Sequence, residues 1–336
     1  MIGWYVHHQG RGHLHRAKAI AAHLDEELTI LSSLPSEEWA TWVALPRDDL
    51  EGSTDATPGG RLHWAPVDSR GHQERFATIA AWVAVTRPRL MVVDVSVEVT
   101  TLVRMMGVPV VVMGMPGERD DAPHDLGHDL ADLVIAPWPG ELYEPGYLRR
   151  RPGLARYVGG ITRYADRLAP PVAPPTPAPD APGTDAPGTG APARRVLLLG
   201  GAGGSALTPG HLAAARAATP GWQWSVAGPL GAWYSDVWEL LHDTDVVVVA
   251  AGQNSVADVA AAGTRAVVVP EDRPFDEQRA TADALRRAGL AVVRDAWPDD
   301  WAATLEEAYA LEPSWERWRT AGAPARAAAI LEGWRR

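Results

Sequence analysis

The sequence predicts an α/β protein built from two doubly wound domains, and three observations point to this fold class. The chain has 336 residues, which is about twice the ~150 residues of an average domain. In both halves short apolar runs alternate with amphipathic helical patterns, as is typical of parallel βαβ units. Residues 169–193 contain nine prolines and too few large apolar side chains to bury a core. We therefore expect domains at 1–168 and 194–312, an interdomain linker at 169–193 and a tail at 313–336.

The first half shows the βαβ alternation from its first residues. Between the first two apolar runs, Leu14, Ala17, Ala21 and Leu24 recur on one face of a predicted helix. The apolar runs predict six strands in this half, at Ile2–Val6, Leu28–Leu31, Leu62–Ala65, Leu90–Val95, Val108–Met113 and Leu133–Ala136.

The second half repeats the alternation with shorter connections. Five strands are predicted, at Val196–Leu199, Trp222–Val226, Val246–Ala250, Ala266–Val269 and Leu290–Val293. Four helices are predicted, at Thr208–Ala218, Ser255–Ala262, Asp276–Ala288 and Pro298–Ala310, and the tail with Trp315, Trp318 and Trp334 is expected to be helical. In doubly wound folds ligands bind beyond the carboxyl ends of the strands, so the loops at those ends are the places to search.

Composition excludes several function classes. The net charge of −11 argues against a binder of duplex nucleic acid, which needs a basic face to displace counterions. The absence of cysteine excludes disulfides, thiolate metal sites and a cysteine nucleophile. Because no apolar run approaches ~18 residues and the amino terminus turns polar at His7, we expect a soluble, cytoplasmic protein.

The loop after the first strand contains the strongest candidate for acid–base chemistry. Gly10, Arg11 and Gly12 form a potential tight turn into a helix, and His13 falls in the first turn of that helix. A neutral imidazole there is suited to act as a general base toward a hydroxyl group. The alternative is that the histidines only line a polar loop. A zinc site built from His7, His8 and His15 is a weaker alternative, because their spacings do not converge as metal ligands usually do.

A glycine-rich loop follows the first strand of the second half. Gly201, Gly203, Gly204 and Ser205 can present backbone N–H groups to a phosphate. The spacing also formally fits a dinucleotide fingerprint, but no Asp or Glu occurs between Gly221 and Ser235 to hold a ribose. A plain strand–turn explains these glycines about as well as a phosphate loop does.

The segment after the third strand of the second half is the most informative. Gln253, Asn254 and Ser255 follow a buried strand and open an Ala-rich helix, with Asn254 or Ser255 as the expected N-cap. The amino terminus of that helix, with its partial positive charge, is suited to hold a diphosphate. Asp258 lies one turn further on. It either accepts hydrogen bonds from ribose hydroxyls or is only a carboxylate near a helix amino terminus, where the helix dipole stabilises it.

A fourth loop joins the next strand to its helix. Glu277 and Gln278 in this loop can bind sugar hydroxyls. Equally, Asp276 and Glu277 can be first-turn acids that cap a helix.

Taken together, the third and fourth loops resemble the donor-binding half of the MurG-like UDP-sugar transferases of glycosyltransferase family 28, which have the GT-B fold. The resemblance rests on GQNSVADVAAAG, then AVVVP, then FDEQ. The glycine loop at 200–205 and the Gly10–His13 loop resemble two further loops of that family. The resemblance implies two Rossmann-like domains facing each other across a cleft, with the tail crossing back to the first.

The resemblance also implies roles for individual residues. It places Asp258 on the ribose and makes His13 the candidate catalytic base. It puts the donor diphosphate near Gly201, Gly203, Gly204, Ser205, Gln253, Asn254 and Ser255, and the donor sugar near Glu277 and Gln278. Asp258 departs from the family's commoner glutamate. Family members invert the anomeric centre and usually need no tightly bound metal, so no cofactor is expected beyond a nucleotide-sugar co-substrate.

Some assignments are left open by the sequence. Asp94 and Glu98 follow a first-domain strand, where they touch the acceptor, assist His13 or only cap a helix. Trp233 and Tyr234 are weak candidates for stacking on the nucleobase. The Arg149–Arg151 run meets an anionic acceptor or a membrane surface, or is a solvated loop.

The predicted function is the inverting transfer of a GlcNAc-type sugar from a UDP-sugar onto a hydroxyl of a small-molecule or lipid-linked acceptor. Two rivals share the fold. A UDP-sugar 2-epimerase lacks support because its T-x-H-R-x-E-N and R-x-x-T-E-R-P-E segments are not found here. A catalytically silent nucleotide-sugar binding protein would keep the donor loops but lose the base.

Overall fold

The protein consists of two compact units in a computed structural model that describes residues 1–49, 54–167, 194–201 and 206–334. Unit 1 comprises Met1–Arg163 and Gly322–Arg336, and unit 2 comprises Tyr164–Ala321. The predicted linker at 169–193 lies outside the described residues. Among the described residues, no helix combines the length and the apolar character needed to cross a membrane.

Unit 1 is built on a seven-stranded sheet in which every neighbouring pair of strands is parallel. The strand order is β3-β2-β1-β4-β5-β6-β7. The strands are β1 (Ile2–Val6), β2 (Leu28–Ser32), β3 (Thr41–Ala44), β4 (Leu90–Asp94), β5 (Val110–Met113), β6 (Leu133–Ala136) and β7 (Ala155–Tyr157). Its helices before the linker are α1 (Gly12–Ala21), α2 (Arg70–Thr86), α3 (Val97–Met105), α4 (Ala122–Leu130) and α5 (Gly146–Arg149).

Both faces of this sheet are buried, because successive side chains of a strand point to opposite faces. Trp4 of β1 packs in one core with the apolar face of α1, whereas its neighbour Tyr5 packs in a second core with α2 and α3. A sheet covered on both faces is the doubly wound arrangement that the apolar runs predicted.

Unit 2 contains a smaller parallel sheet of five strands in the order β12-β11-β10-β8-β9. The strands are β8 (Arg194–Leu199), β9 (Trp222–Ala227), β10 (Val246–Val249), β11 (Arg265–Val268) and β12 (Val292–Val293). Its helices are α6 (Pro209–Ala218), α7 (Trp238–His242), α8 (Gln253–Ala262), α9 (Glu277–Ala288) and α10 (Trp301–Ala310). The four predicted helices are all present, with starts shifted by one to three residues. The predicted α/β class is confirmed, because each unit is a Rossmann-like domain built on a parallel sheet.

The tail divides between the two units. Trp315 stays with unit 2, where its indole N–H donates to the carbonyl of Thr264 at 2.8 Å. From Gly322 onward the chain belongs to unit 1, and α11 (Ala323–Gly333) packs on α1. Arg326 anchors α11 by donating from Nη2 to the carbonyl of Val158 at 2.7 Å. The segment that returns to unit 1 is therefore shorter than the tail predicted at 313–336.

One predicted strand is wrong, and two short strands, β3 and β7, were not predicted. Leu62–Ala65 forms no strand but a loop. The backbone N–H groups of His63 and Trp64 donate to Oε1 of Glu98, at 2.8 and 3.1 Å. A buried carboxylate that takes two backbone donors holds this segment away from the sheet, which the local apolar pattern cannot reveal.

Candidate active site

The loop between β1 and α1 turns at a glycine, as predicted. Gly10 has a φ of +81°, a left-handed conformation that favours glycine. Helix α1 then begins at Gly12, with Arg11 as the N-cap residue and without a side-chain cap. His13 is thus the second residue of the helix, at the carboxyl edge of the first sheet.

His13 is paired with Asp94 at this edge. Strands β1 and β4 are neighbours, with Val6 opposite Asp94, so the ends of both strands lie side by side. Nδ1 of His13 lies 2.9 Å from Oδ1 of Asp94, although the residues are 81 positions apart in sequence. Because a carboxylate only accepts, Nδ1 carries the proton and Nε2 is the basic nitrogen. Of the options that the sequence left open for Asp94, its contacts fit support of His13, since Ser96 caps α3 instead.

Asp94 is held as a carboxylate inside the protein. Its side chain is fully buried, and burial by itself opposes ionisation. Arg16 and His13 outweigh that effect and hold the pKa of Asp94 below its ordinary value. The next residue, Val95, has a φ of +64°, which is an outlier for a β-branched side chain. Such backbone strain is typical of functional sites.

Glu98 has a different position from Asp94. It is buried in the first turn of α3, where it accepts from the loop amides of His63 and Trp64 and from the hydroxyl of Ser96 at 3.0 Å. These contacts give Glu98 the task of holding the 61–65 loop. Its predicted contact with an acceptor stays a prediction.

The other histidines near His13 are bonded within the protein. His7 stacks on His8 with ring centroids 4.9 Å apart, and burial, aided by the neighbouring His13 and His8, lowers the pKa of His7 to about 4. His8 lies 3.2 Å from a carboxylate oxygen of Asp49. The set of His7, His8 and His15 considered for zinc is not among the groups of described residues whose ligand atoms converge within 4.8 Å.

One of the groups that does converge is His63, Asp121 and His124 in unit 1. Arg119 donates to Nε2 of His124 at 2.9 Å, so Nδ1 of that ring donates to Asp121 at 2.7 Å. Both ring nitrogens of His124 are therefore engaged in hydrogen bonds, and Asp121 also caps α4. The arrangement is that of a polar network rather than of an open metal site.

In unit 2 the helix start at α8 differs from the prediction. The N-cap is Gly252, not Asn254 or Ser255, and no side chain caps this helix end. Gln253, Asn254 and Ser255 form the first turn, and their N–H groups precede the first N–H of the i→i−4 ladder, that of Val256. A side-chain cap is absent because the residue at the N-cap position has no side chain. Asp258 is half-buried in the second turn.

The glycine loop after β8 borders a cavity in unit 2. The cavity measures about 360 Å³ and lies at the carboxyl ends of β8 to β11, with Gly200, Gly201, Val249 and Pro270 among its lining residues. Gly203, Gly204 and Ser205 lie outside the described residues.

The other residues predicted to bind the donor nucleotide do not line this cavity. They are Gln253, Asn254, Ser255 and Asp258, together with Trp233 and Tyr234. These two aromatic side chains are exposed, by 62% and 47%.

The loop before α9 is strained at its tip and bonded at its base. Phe275 and Asp276 both have positive φ values, 63° and 53°, although neither is glycine. At the base, the backbone N–H of Glu271 donates to Oε1 of Gln278 at 2.8 Å, and Gln278 is buried. Asp276 is the N-cap residue but its side chain makes no capping bond. Gln278 thus supports the loop, and Glu277 is half-buried at the helix start.

The arginine run after α5 is paired with carboxylates of unit 1. Arg150 donates to Asp120 at 2.9 Å, and Arg151 donates to Asp125 at 3.0 Å and Asp129 at 2.7 Å. These pairs account for the run as a charged surface cluster. They do not test a contact with an acceptor or a membrane.

Arg16 is the residue of this site that sequence reasoning missed. It is 3% exposed, and its guanidinium donates to both carboxylate oxygens of Asp94. The available signal was its spacing, because a residue three positions after His13 lies on the same face of the helix.

Comparisons with known proteins agree with this fold. Residues 232–298 match the sequence model of the glycosyltransferase family 28 C-terminal domain, a range that includes Gln253–Asp258 and Glu277–Gln278. The solved glycosyltransferase of kitacinnamycin is similar, with a TM-score of 0.66, 15% identity and 98% of both chains covered. A search of curated protein sequences finds no match.

Two further solved structures show the same fold. MurG of Acinetobacter baumannii has a TM-score of 0.60 at 14% identity, with 99% of both chains covered. CalG4, the calicheamicin glycosyltransferase, has a TM-score of 0.61 at 18% identity, with 98% of this chain and 97% of that chain covered. The family match and the shared fold confirm the predicted resemblance to family 28 glycosyltransferases of the GT-B fold, and assign the chain to the transferase enzymes.

Proposed function

We propose that this glycosyltransferase moves a sugar from a UDP-sugar, of the GlcNAc type, onto a hydroxyl of a small organic acceptor with inversion at the anomeric carbon. The observation that carries the proposal is the His13–Asp94 pair, with its 2.9 Å hydrogen bond at the carboxyl edge of the first sheet. A buried carboxylate that fixes the tautomer of an imidazole is the arrangement that makes a histidine an effective general base.

The reaction is a single displacement. Nε2 of His13 takes the proton of the acceptor hydroxyl while the acceptor oxygen forms a bond to the anomeric carbon. The bond between that carbon and the phosphate oxygen breaks, and its electron pair leaves with the nucleoside diphosphate. The proton on His13 then passes to solvent, which restores the base.

The donor is assigned to unit 2. The first-turn amides of α8 at Gln253, Asn254 and Ser255 would stabilise the diphosphate as its charge develops, because a helix amino terminus carries partial positive charge. Asp258 would accept from the ribose hydroxyls. Glu277 and Gln278 would contact the donor sugar, and Gly201 would face the phosphates. This donor arrangement needs no tightly bound metal.

Two similar solved structures support a natural-product acceptor and leave two nucleotides to be tested. One similar structure is the spinosyn rhamnosyltransferase SpnG with thymidine diphosphate, and another is Phytolacca americana UGT2 with UDP-2-fluoro-glucose and pterostilbene. We therefore propose a hydroxylated aglycone as the acceptor class. A lipid-linked sugar, which the sequence also left open, is the competing acceptor.

A two-step experiment tests the proposal. The first step is a thermal-shift screen against UDP, dTDP, GDP, ADP and NAD, in which a ligand at 100 times its dissociation constant adds ~2.7 kcal/mol to the free energy of unfolding. Stabilisation by UDP is expected; stabilisation by dTDP alone would replace the proposed nucleotide, and no stabilisation by any nucleotide would overturn the donor site.

The second step uses labelled UDP-GlcNAc, alone and with a panel of phenolic and macrolide hydroxyl acceptors. A transferase hydrolyses the donor slowly when alone and forms a glycoside with inverted configuration when an acceptor is added. Interconversion of the UDP-sugar without acceptor would indicate an epimerase. Binding without either reaction would indicate a silent binding protein.

A further inference from the structure

Arg16 forms a buried ion pair with Asp94 next to His13. Its Nη2 donates to Oδ1 of Asp94 at 2.5 Å, and its Nε donates to Oδ2 at 3.3 Å. The side chains of Arg16 and Asp94 are 3% and 0% exposed. The carboxylate is thus shared between a guanidinium and an imidazole, both from α1.

The three groups are close enough for each charge to act on the other two. Nη2 of Arg16 lies 3.3 Å from Nδ1 of His13, the nitrogen that also contacts Asp94. The guanidinium lies against Met115 as well, with sulfur contacts of 3.8 and 3.9 Å, which holds its plane in one orientation. Neutral His7 has its ring 6.1 Å from the ring of His13, and beyond it His8 contacts Arg75 of α2 at 3.4 Å.

We propose that Arg16 is a positioning residue for the His13–Asp94 pair, which fixes both oxygens of the carboxylate and offsets its charge so that His13 remains a neutral proton acceptor. The inference rests on the proposed role of His13 as the base. It extends that role by assigning a task to a residue outside the first turn.

Two opposite charges, those of Asp94 and Arg16, lie beside Nδ1 of His13. A buried carboxylate alone would stabilise the imidazolium, since an opposite charge at this distance favours the charged form of a titrating group by roughly 1–3 pH units. A protonated imidazole cannot accept the proton of an acceptor hydroxyl. The fixed charge of Arg16 cancels most of that attraction, because a guanidinium is always protonated in proteins. The hydrogen bond that sets the tautomer is kept while the attraction for a proton is reduced.

The direct test is the protonation state of His13 in the intact protein, measured by two-dimensional NMR of the ¹⁵N-histidine-labelled chain. The resonances of His13 are identified by their loss in His13→Gln. At about pH 7 the proposal expects one protonated and one unprotonated ring nitrogen, with the proton on Nδ1. A doubly protonated His13 at that pH would overturn the proposal even if no variant folded.

The variants test the cause. Arg16→Met removes the charge at similar side-chain length, and the pH at which half of His13 is protonated is expected to rise by about 1 unit, a tenfold change in the equilibrium. Arg16→Lys keeps the charge and should reverse most of that rise. Equal titration of His13 in wild type and Arg16→Met would overturn the proposal.

The matched control is Arg75→Met. Arg75 is another buried arginine of unit 1, 1% exposed, but its carboxylate partner is Asp48, at 3.1 Å, rather than Asp94. The Arg75→Met variant shows the effect of losing a buried arginine from the same unit. In this variant the pH at which half of His13 is protonated should change far less than in Arg16→Met. An equal movement would show a general effect of charge or stability and would overturn the specific role of Arg16.

The readout separates this inference from the proposed function. Protonation of His13 is observed without any donor or acceptor. If Arg16→Met shifts the titration of His13 but no sugar transfer is found, the proposed role of Arg16 is supported and the proposed reaction is wrong. If sugar transfer depends on His13 but the titration of His13 is the same in wild type and Arg16→Met, the proposed reaction is supported and the proposed role of Arg16 is wrong.

Discussion

The His13 region of unit 1 and the α8 region of unit 2 both lie where a parallel strand ends and a helix begins, yet they are built in opposite ways. The first region depends on buried side chains, in which Asp94 at 0% exposure is bonded by groups from another element. The second depends on backbone, because Gly252 caps α8 without any side-chain bond. The proposed proton transfer therefore relies on side chains held by distant partners, whereas the proposed diphosphate contact relies on the backbone amides of a helix end.

The largest expected effect is loss of the base. His13→Ala should lower the turnover of sugar transfer ~10²-fold or more and leave the affinity for UDP nearly unchanged, because the imidazole acts in the chemical step. Steady-state kinetics with the acceptor found in the screen, together with UDP titration calorimetry, check this. His23→Ala, just beyond the end of α1, is the control and should be close to wild type. Unchanged turnover in His13→Ala would remove this residue from the mechanism.

Acid should affect the two units unequally. Burial lowers the pKa of His124 to about 4 and that of His128 to about 3, both from an ordinary value of 6.5. Since these pKa values are depressed in the folded state, their contribution to stability is complete above pH 6.5 and is lost as pH falls toward 4. We expect each of these two histidines to remove about 2 kcal/mol of stability from unit 1 between about pH 6.5 and 4.5, which is about 4 kcal/mol together.

Pulse-labelling hydrogen exchange after incubation at several pH values resolves this loss by unit. His128→Phe, which keeps a ring against Tyr147, should reduce the acid sensitivity of unit 1. Equal acid sensitivity of both units would contradict the expectation.

A smaller effect is expected at Asp258, with the reverse kinetic pattern from His13. Asp258→Ala should weaken UDP binding about tenfold, which is ~1.4 kcal/mol, and change turnover at saturating donor much less. Calorimetric titration of UDP checks this, with Asp283→Ala on α9 as a control at an exposed acid of the same unit. If uridine and UDP both bind Asp258→Ala as tightly as wild type, Asp258 is an acid of the second turn of α8 without a ribose contact.

The smallest expected effect concerns Gly252, the N-cap residue of α8, and tests whether the backbone amides of this helix end bind the diphosphate. An added Cβ at Gly252 meets no atom within 4 Å, and the φ of −67° suits any residue. Gly252→Asp should stabilise α8 by a few tenths of a kcal/mol as an N-cap and yet weaken UDP binding several-fold, since its carboxylate competes with the diphosphate for the same amides. Gly252→Ala is the control and should retain affinity. UDP affinity equal to wild type in Gly252→Asp would place the diphosphate elsewhere.

The sequence by itself determined the features that depend on local pattern. Alternating apolar runs and helical faces gave both sheets and most helices within a few residues, because hydrophobic periodicity reflects burial directly. Gly10 marked a turn for the same local reason, and the motif between Gln253 and Gln278 carried the family resemblance, which the match at 232–298 confirms. The predicted role of Asp258 stays a prediction.

Only the tertiary structure decided the features that join distant segments. The contact of His13 with Asp94 spans 81 residues, and it exists because the sheet order sets β1 beside β4. The same cause places Arg16 on Asp94 and ties the 61–65 loop to Glu98, which removed a predicted strand. Local propensity describes how one segment buries its own apolar side chains, whereas the partner of a buried charge is chosen by the fold, because an unpaired charge in the interior costs too much to remain there.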